Sequence, residues 1–547
     1  MSGCDYLDIV PDNLPTLEMA FNNKSSAERF LFTCYSFVPE HGKIGTDPGM
    51  DVGDEVWYYS DNSADYSNKT TFWIAKGMQN SNEPLVDYWN GTQWGKAMFV
   101  GIRDCNVFIE NIEKVPDLSA YDKETWKAEA KVLKAFYHFW MMRMYGPIPI
   151  IKENIPVSAG EDEVRVVRDK IDDIVTYIVS LIDESVEYLP LNIQNEAAEM
   201  GRITRPAAKA IKAKILAFAA SPFFNGNLDY ANFKNAEGEP FFNQVYDNEK
   251  WTKAADACLE AIQCAEEAGH GLYEFVNMSS TQLSDETILS LSNRCKVTER
   301  WNKELVWGCG QSGIRDLQVL CQPWLESNYS SDDRYHNARN GTFAPTLAVA
   351  ETFYTKNGVP MDEDKNYDYS KRYTTQVATE ADKYYIQPGY TTAKLHFDRE
   401  PRFYATLGFD GSSWYGIGKM DDNDMWYLQA KAKQAFRKAW KYFVFNHWIF
   451  CKEAGTLSEC DGSCKHTDRD ISFPIIRLAD LYLLYAEALN EAKKEEGTVP
   501  EDCYTYIDKV RARAGLKGVK DSWRLYANDA NKPNTYEGFQ TIVRKEE

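Results

Sequence analysis

The sequence predicts a mainly α fold, an array of helix pairs with a loop-rich, partly β second lobe. Three observations lead there. Through residues 22–268, apolar side chains recur at helical spacing in one segment after another, with short turns between them. From about 270 to 470, Gly, Asn, Asp and Tyr become frequent, helical runs shorten, and strand-like pieces appear at 304–307 and 403–407. The most strongly patterned stretch then follows at 471–492. There Arg477, Asp480, Glu487 and Asn490 share one arc of a helical wheel, and Leu478, Leu481, Tyr482, Leu484, Tyr485, Ala488 and Leu489 cover the rest.

Taken in order, residues 22–38 read as a first helix, with Ala27, Phe30, Leu31, Cys34, Tyr35 and Val38 on one face. An irregular insert follows at about 39–90, carrying Trp57, Tyr58, Tyr59, Tyr66 and Trp73 among polar residues. A loop of that length is usually functional or disordered, and its aromatic content argues against disorder. Helical patterns resume at 91–113 and 124–145, the second stopped by Gly146-Pro147, and again at 166–188. Thr204 is placed to cap the Ala-rich run 207–222, and a further helix covers 250–268. Helix pairs without a strict repeat period describe a degenerate tetratricopeptide-like scaffold.

The stretch 471–492 carries three ionisable residues, which argues against a membrane span. Arg477 and Asp480, spaced i,i+3, can compensate each other in a core, and Pro474 is read in the first helical turn. Its partner is 501–514, with Cys503, Ile507, Val510 and Ala514 on one face and Gly515 closing the helix. The chain thus divides into a helical region, 4–230, and a second region, 231–547, that is loop-rich before its closing helix pair.

Composition narrows the function. With 82 acidic against 61 basic residues, net charge −21, the chain is suited neither to nucleic acid nor to adsorption on anionic lipid. Aromatic residues make up 14%, including 33 Tyr and 15 Trp, and flat rings in polar surroundings suit stacking against sugars. Most of the 12 cysteines, such as Cys34, Cys105, Cys258, Cys264 and Cys503, lie in helical patterns as small buried hydrophobes. Cys460 and Cys464, with Cys451 and His466 nearby, suit a local disulfide or two thiols better than zinc, because a second short-spaced pair is missing.

No catalytic motif stands out, and no cofactor is expected. The acidic runs 421–424 and Asp51, Asp54, Glu55 lack the spacing of a calcium loop, so a structural Ca²⁺ has no specific support. The best functional signal is a set of aromatics with polar neighbours: Trp57, Tyr58, Tyr59, Trp73, Trp89 and Asn90, joined from the second lobe by Arg315, Trp324 and Tyr329. Asn80, Asn82 and Asp54 are further polar groups for sugar hydroxyls. The N-terminal Ser-Gly-Cys4-Asp has the form in which a bacterial lipoprotein signal ends, at a lipid-accepting cysteine.

Six segments in order resemble the SusD/RagB family of surface lipoproteins from Bacteroidota: residues 4–8, 129–149, 201–222, 357–360, 398–403, and 471–492 with 510–515. The resemblance implies a non-enzymatic nutrient-binding lipoprotein, anchored through Cys4 to the outer face of the outer membrane. It also implies a SusC-like TonB-dependent transporter as partner and an oligosaccharide as ligand, or a peptide in some members. A glycosidase and a pure protein-binding scaffold are the competing readings. The family pattern continues beyond the point where this chain stops, after Val543-Arg544-Lys545-Glu546-Glu547, so a truncated C-terminus is expected.

Overall fold

The computed structural model describes residues 17–58, 70–276, 283–310, 317, 321, 343–415, 421–431, 434, 450–451, 459–460, 466–467 and 471–547. The main helices are α1 (Lys24–Tyr35), α2 (Pro48–Asp51), α3 (Thr70–Ala75), α4 (Met98–Asn111), α5 (Ala120–Tyr145), α6 (Ile171–Asp183), α7 (Arg205–Ala220) and α8 (Glu249–Glu267). After them come α9 (Asp285–Thr298), α10 (Pro401–Thr406), α11 (Leu478–Ala492), α12 (Glu501–Arg513) and α13 (Tyr536–Glu546).

Several starts are set by side-chain caps. Asn23 accepts the Ser26 N–H, Ser119 the Asp122 N–H and Thr204 the Ala207 N–H, each satisfying a donor that the first turn leaves open. Each long helix then packs on its neighbours: α4 on α5, α5 on α6, α7 on α8, and α8 on α11, which also touches α12 and α13. One apolar core runs through this row from Phe21 to Val543. Because α8 meets α11 directly, the loop-rich lobe between them is an insertion into a continuous helical row. The mainly α, helix-pair fold is therefore observed.

The β structure is slight. Among the described residues it amounts to six two-stranded antiparallel sheets. In two of them, β1 (Val56–Tyr58) pairs with β3 (Phe343–Pro345), and β2 (Leu305–Cys309) pairs with β4 (Phe473–Arg477). The second pair corrects the expectation for 471–492. The helix begins only at Leu478, and Pro474 lies in a strand opposite Gly308, on a sheet with no third strand to need its missing N–H. Arg477 is the cap residue, its N–H bonded to Asp480 Oδ2 at 2.9 Å and its guanidinium to Oδ1 at 2.6 Å. The polar arc faces α13 as well as solvent: Asn490, 2% exposed, donates to Gln540 Oε1 at 2.9 Å.

Two other expectations also fail. Of residues 403–407, read as a strand, 403–406 lie in α10, whose first turn is set by Pro401, and only Leu407 is in a strand, opposite Cys451. The helix expected from residue 91 starts at Met98, because 86–97 is a tight loop. Gly515, with φ +77°, does close α12, as the C′ position requires.

The family-like segments meet in buried ion pairs. Arg511 pairs with Glu546, both fully buried, and Glu546 also takes Arg402 at 2.6 Å. Arg202 clasps Glu129 through Nε at 3.0 Å and Nη2 at 2.7 Å, and Glu129 also accepts from the Tyr35 hydroxyl at 2.6 Å.

Candidate functional site

The last turn of α5 organises the site. It carries Trp140, Arg143 and Tyr145, and it ends at Gly146 in a left-handed conformation, φ +70°. The insert folds onto one side of this turn. Asp47 accepts N–H bonds from Gly42 at 2.8 Å and Gly49 at 2.9 Å. Asp51 accepts from the Gly45 N–H and from the Thr71 hydroxyl, both at 2.6 Å. These bonds fold 42–51 into a compact loop that includes α2 and tie it to α3. At Gly42, φ is +74° and a Cβ would stand 2.5 Å from the Phe473 ring, so only glycine lets that ring in. Phe473 then lies parallel to His41, ring centres 6.3 Å apart.

Beyond this loop lie the insert's aromatics. Trp57, on β1, meets Phe72 edge to face at 6.0 Å and leaves 44% of its surface exposed. Phe72, Met50, Val56 and Phe473 pack together in one small cluster. Trp73 is half-buried, with the Lys76 ammonium 5.6 Å from its ring centre.

The loop 86–97 folds against the same turn of α5. Asp87 accepts from the Trp89 and Asn90 N–H groups, the Asn90 amide and the Thr92 hydroxyl. Burial works to raise its carboxyl pKa, but these four bonds hold it below the ordinary value. Trp89 is half-buried against Phe99 and Tyr145, ring centres 4.9 and 5.6 Å away, with the Arg168 guanidinium 5.2 Å over its face. The Tyr145 hydroxyl accepts from the Tyr88 N–H at 2.9 Å. Val86, Gln93 and Trp94 all have positive φ, and Trp94 is 71% exposed. Three non-glycine residues in that region within nine positions store backbone strain, which clusters at binding sites.

Between the loop 42–51, β4 and helices α5 and α7 is a cavity of about 240 Å³ whose lining includes His41, Asp47, Trp140, Arg143, Lys214 and Phe473. The Arg143 guanidinium lies over Trp140, 4.1 Å from the ring centre, and Tyr88 meets Trp140 at 5.5 Å. Burial, helped by the positive charges of Arg143 and Lys214, lowers the His41 pKa to about 3 and keeps the ring neutral. Burial raises the Asp47 carboxyl, opposed by its backbone bonds and by Arg143. Lys214 is lowered by burial, with Asp480 working the other way.

Of the residues singled out from the sequence, Trp57, Trp73, Trp89 and Asn90 are described but do not line the cavity; they lie on β1, α3 and the loop 86–97. The backbone of Tyr58 lies in β1. Tyr59, Arg315, Trp324, Tyr329 and Cys4 lie outside the described residues. Sequence reasoning missed Trp94, Arg143, Lys214 and His41. A signal existed for two of them: Asn90-Gly91-Thr92-Gln93-Trp94-Gly95 is turn-like rather than helical, and Arg143 is the one charge between Phe139 and Tyr145. The acidic candidates for calcium have other work. Asp51 braces the insert, and Asp422 accepts from the Ser284 N–H at 2.6 Å and the Thr287 hydroxyl at 2.7 Å, fastening its loop to the start of α9. Among the described residues, no group of three or more His, Cys, Asp or Glu is placed to hold a metal.

Comparison with known proteins yields consistent matches. A family model described as "SusD family" matches residues 315–547, and one described as "Starch-binding associating with outer membrane" matches 5–216. A "SusD-like protein P25" of Formosa agariphila is 21% identical over 99% of this chain and 83% of its own length. Among solved structures, one titled "BT4246" superposes with a TM-score of 0.76 at 24% identity, covering 96% of this chain and 86% of that one. A "Laminarin binding SusD-like protein" superposes with a TM-score of 0.52 at 15% identity, covering 96% and 93%.

Proposed function

The chain belongs to the SusD/RagB family, and from that premise we propose that it is a cell-surface lipoprotein that binds an oligosaccharide and passes it to a SusC-like TonB-dependent transporter. The observation that carries the reading is a pair of exposed aromatics, Trp57 on β1 and Trp94 on the loop 86–97. Trp57 stands on β1, next to the loop that Asp51 braces, and Trp94 on the loop that Asp87 braces, and both keep large exposed faces. A sugar ring stacks on such a face at little entropic cost, because the platform is already ordered. Asn90, beside Asp87, offers an amide for hydroxyl groups.

The role is binding rather than catalysis, as for glycan-binding relatives of this family. Among the described residues no helix is long and apolar enough to cross a membrane. Attachment would fall to lipid on Cys4, where two or more acyl chains hold a protein stably. Calorimetry of the purified chain against a glycan panel tests the proposal. Saturable binding without release of reducing sugar supports it. Tight binding to peptides and to no glycan would replace the ligand class, and sugar release abolished by a single Asp or Glu substitution would replace binding with hydrolysis.

A further inference from the structure

The cavity behind the aromatic loops is rich in donors. Arg143 has solvent access and makes no hydrogen bond or ion pair with any described residue; its one close partner is the Trp140 face beneath it. Lys214 has only a long contact, 3.4 Å, to the Ile475 carbonyl. Two buried ring nitrogens on the same wall, Trp140 Nε1 and His41 Nε2, have no partner among the described residues. The acceptors nearby are committed. Asp47 holds two backbone N–H groups of its own loop, and Asp480 is taken by Arg477.

Buried polar atoms without partners are rare and call for an explanation, and here two belong to residues lining one cavity. Its volume suits several waters or one sugar-sized group. A guanidinium held over an indole face by its charge leaves N–H groups for the two-pronged contact that matches a carboxylate or sulfate. The molecule as a whole carries −21, so a diffuse surface attraction for polyanions is ruled out and any preference for acid groups must be local.

We propose that this cavity is an oxyanion subsite, in which Arg143 and Lys214 hold the carboxylate or sulfate ester of an acidic sugar whose neighbouring rings lie on the aromatic loops. The inference rests on the glycan-binding reading and narrows it to anionic glycans. Arg143 supplies the paired N–H contact, Lys214 the second charge, and the Trp140 indole N–H a neutral donor. Asp47 sets the loop that forms one wall.

The test is calorimetry of the full chain against matched pairs: galacturonate oligosaccharides and their methyl esters, and sulfated galactose oligosaccharides and their desulfated counterparts. The acidic member is expected to bind roughly ten- to a hundredfold tighter, the range for one charge-assisted hydrogen-bonded contact. Which pair shows the preference distinguishes carboxylate from sulfate. Arg143→Gln and, independently, Lys214→Met should each reduce the ratio of affinities within the pair. If either variant fails to fold, the wild-type preference should still weaken measurably with added salt, since Arg143 keeps solvent access. Equal affinity within both pairs, insensitive to salt, overturns the subsite and leaves glycan binding intact. Absence of binding to any glycan, neutral or acidic, overturns both.

Discussion

Arg511 and Glu546, 35 residues apart, form an ion pair with no solvent exposure on either side chain. The guanidinium also donates to the Gly358 carbonyl at 2.8 Å, the Ser522 hydroxyl at 3.0 Å and the Lys517 carbonyl at 2.9 Å. On the other side Glu546 takes Arg402, which also pairs with Glu400. One carboxylate thus joins α12, α13, the turn at 357–360 and the start of α10. Burial acts to raise the Glu546 pKa, but Arg402 and Arg511 hold it below the ordinary carboxylate range.

Removing one member of this cluster leaves its partners charged and buried. Glu546→Gln or Arg511→Met is therefore expected to destabilise the fold by ~3–5 kcal/mol, whereas an exposed pair such as Arg524–Asp521 should matter little. Urea denaturation checks both. A loss below about 1 kcal/mol in Glu546→Gln would show that water reaches the site.

Gly358 should tolerate no side chain. Its φ is +74°, and a Cβ would stand 2.6 Å from Arg511 Nη2, inside the contact that fixes the guanidinium. Gly358→Ala is expected to lower stability by more than the ~1 kcal/mol typical of a strained left-handed alanine, because the Arg511 cluster must shift as well. The additional loss should vanish in the Arg511→Met background, which a double-mutant cycle measures.

His138 predicts acid sensitivity. It is fully buried; its Nδ1 lies 2.8 Å from the Lys134 carbonyl, and its Nε2 accepts the Ile151 N–H at 3.2 Å, an arrangement that fits only a neutral ring. Burial lowers its pKa to about 4. Between the ordinary value of 6.5 and 4, the unfolded chain binds a proton that the folded chain refuses, so stability is complete above pH 6.5 and lost as pH falls through this window. The loss amounts to about 3 kcal/mol by pH 4. His41 adds to it in the same direction. Denaturation at pH 7, 5.5 and 4.5 should show the decline, and His138→Gln should flatten it. An unchanged slope in His138→Gln would remove this histidine from the account.

The aromatic loops should separate binding from folding. Trp57→Ala and Trp94→Ala remove exposed rings and are expected to weaken glycan binding by roughly 1–3 kcal/mol each, the scale for a stacked ligand ring, with little change in melting temperature. Trp89→Ala removes a ring packed between Phe99, Tyr145 and Arg168 and should lower the melting temperature as well. If Trp57→Ala and Trp94→Ala bind every glycan as the wild type does, the platform lies elsewhere.

The sequence by itself determined the helical row, because amphipathic spacing and caps are local: Thr204, Gly146 and Gly515 act as they read. It also determined the family, through short motifs whose residues meet in buried ion pairs. Where local pattern was ambiguous, it misled. The apolar run at 473–477 suits either a helix or a strand, and pairing with 305–309 decided for the strand. Only the tertiary structure could bring His41, Arg143, Lys214 and Phe473 to one cavity, since they come from four separate parts of the chain. No spacing rule links them. Burial in that shared space is what keeps His41 neutral, and burial is a property of the packed molecule.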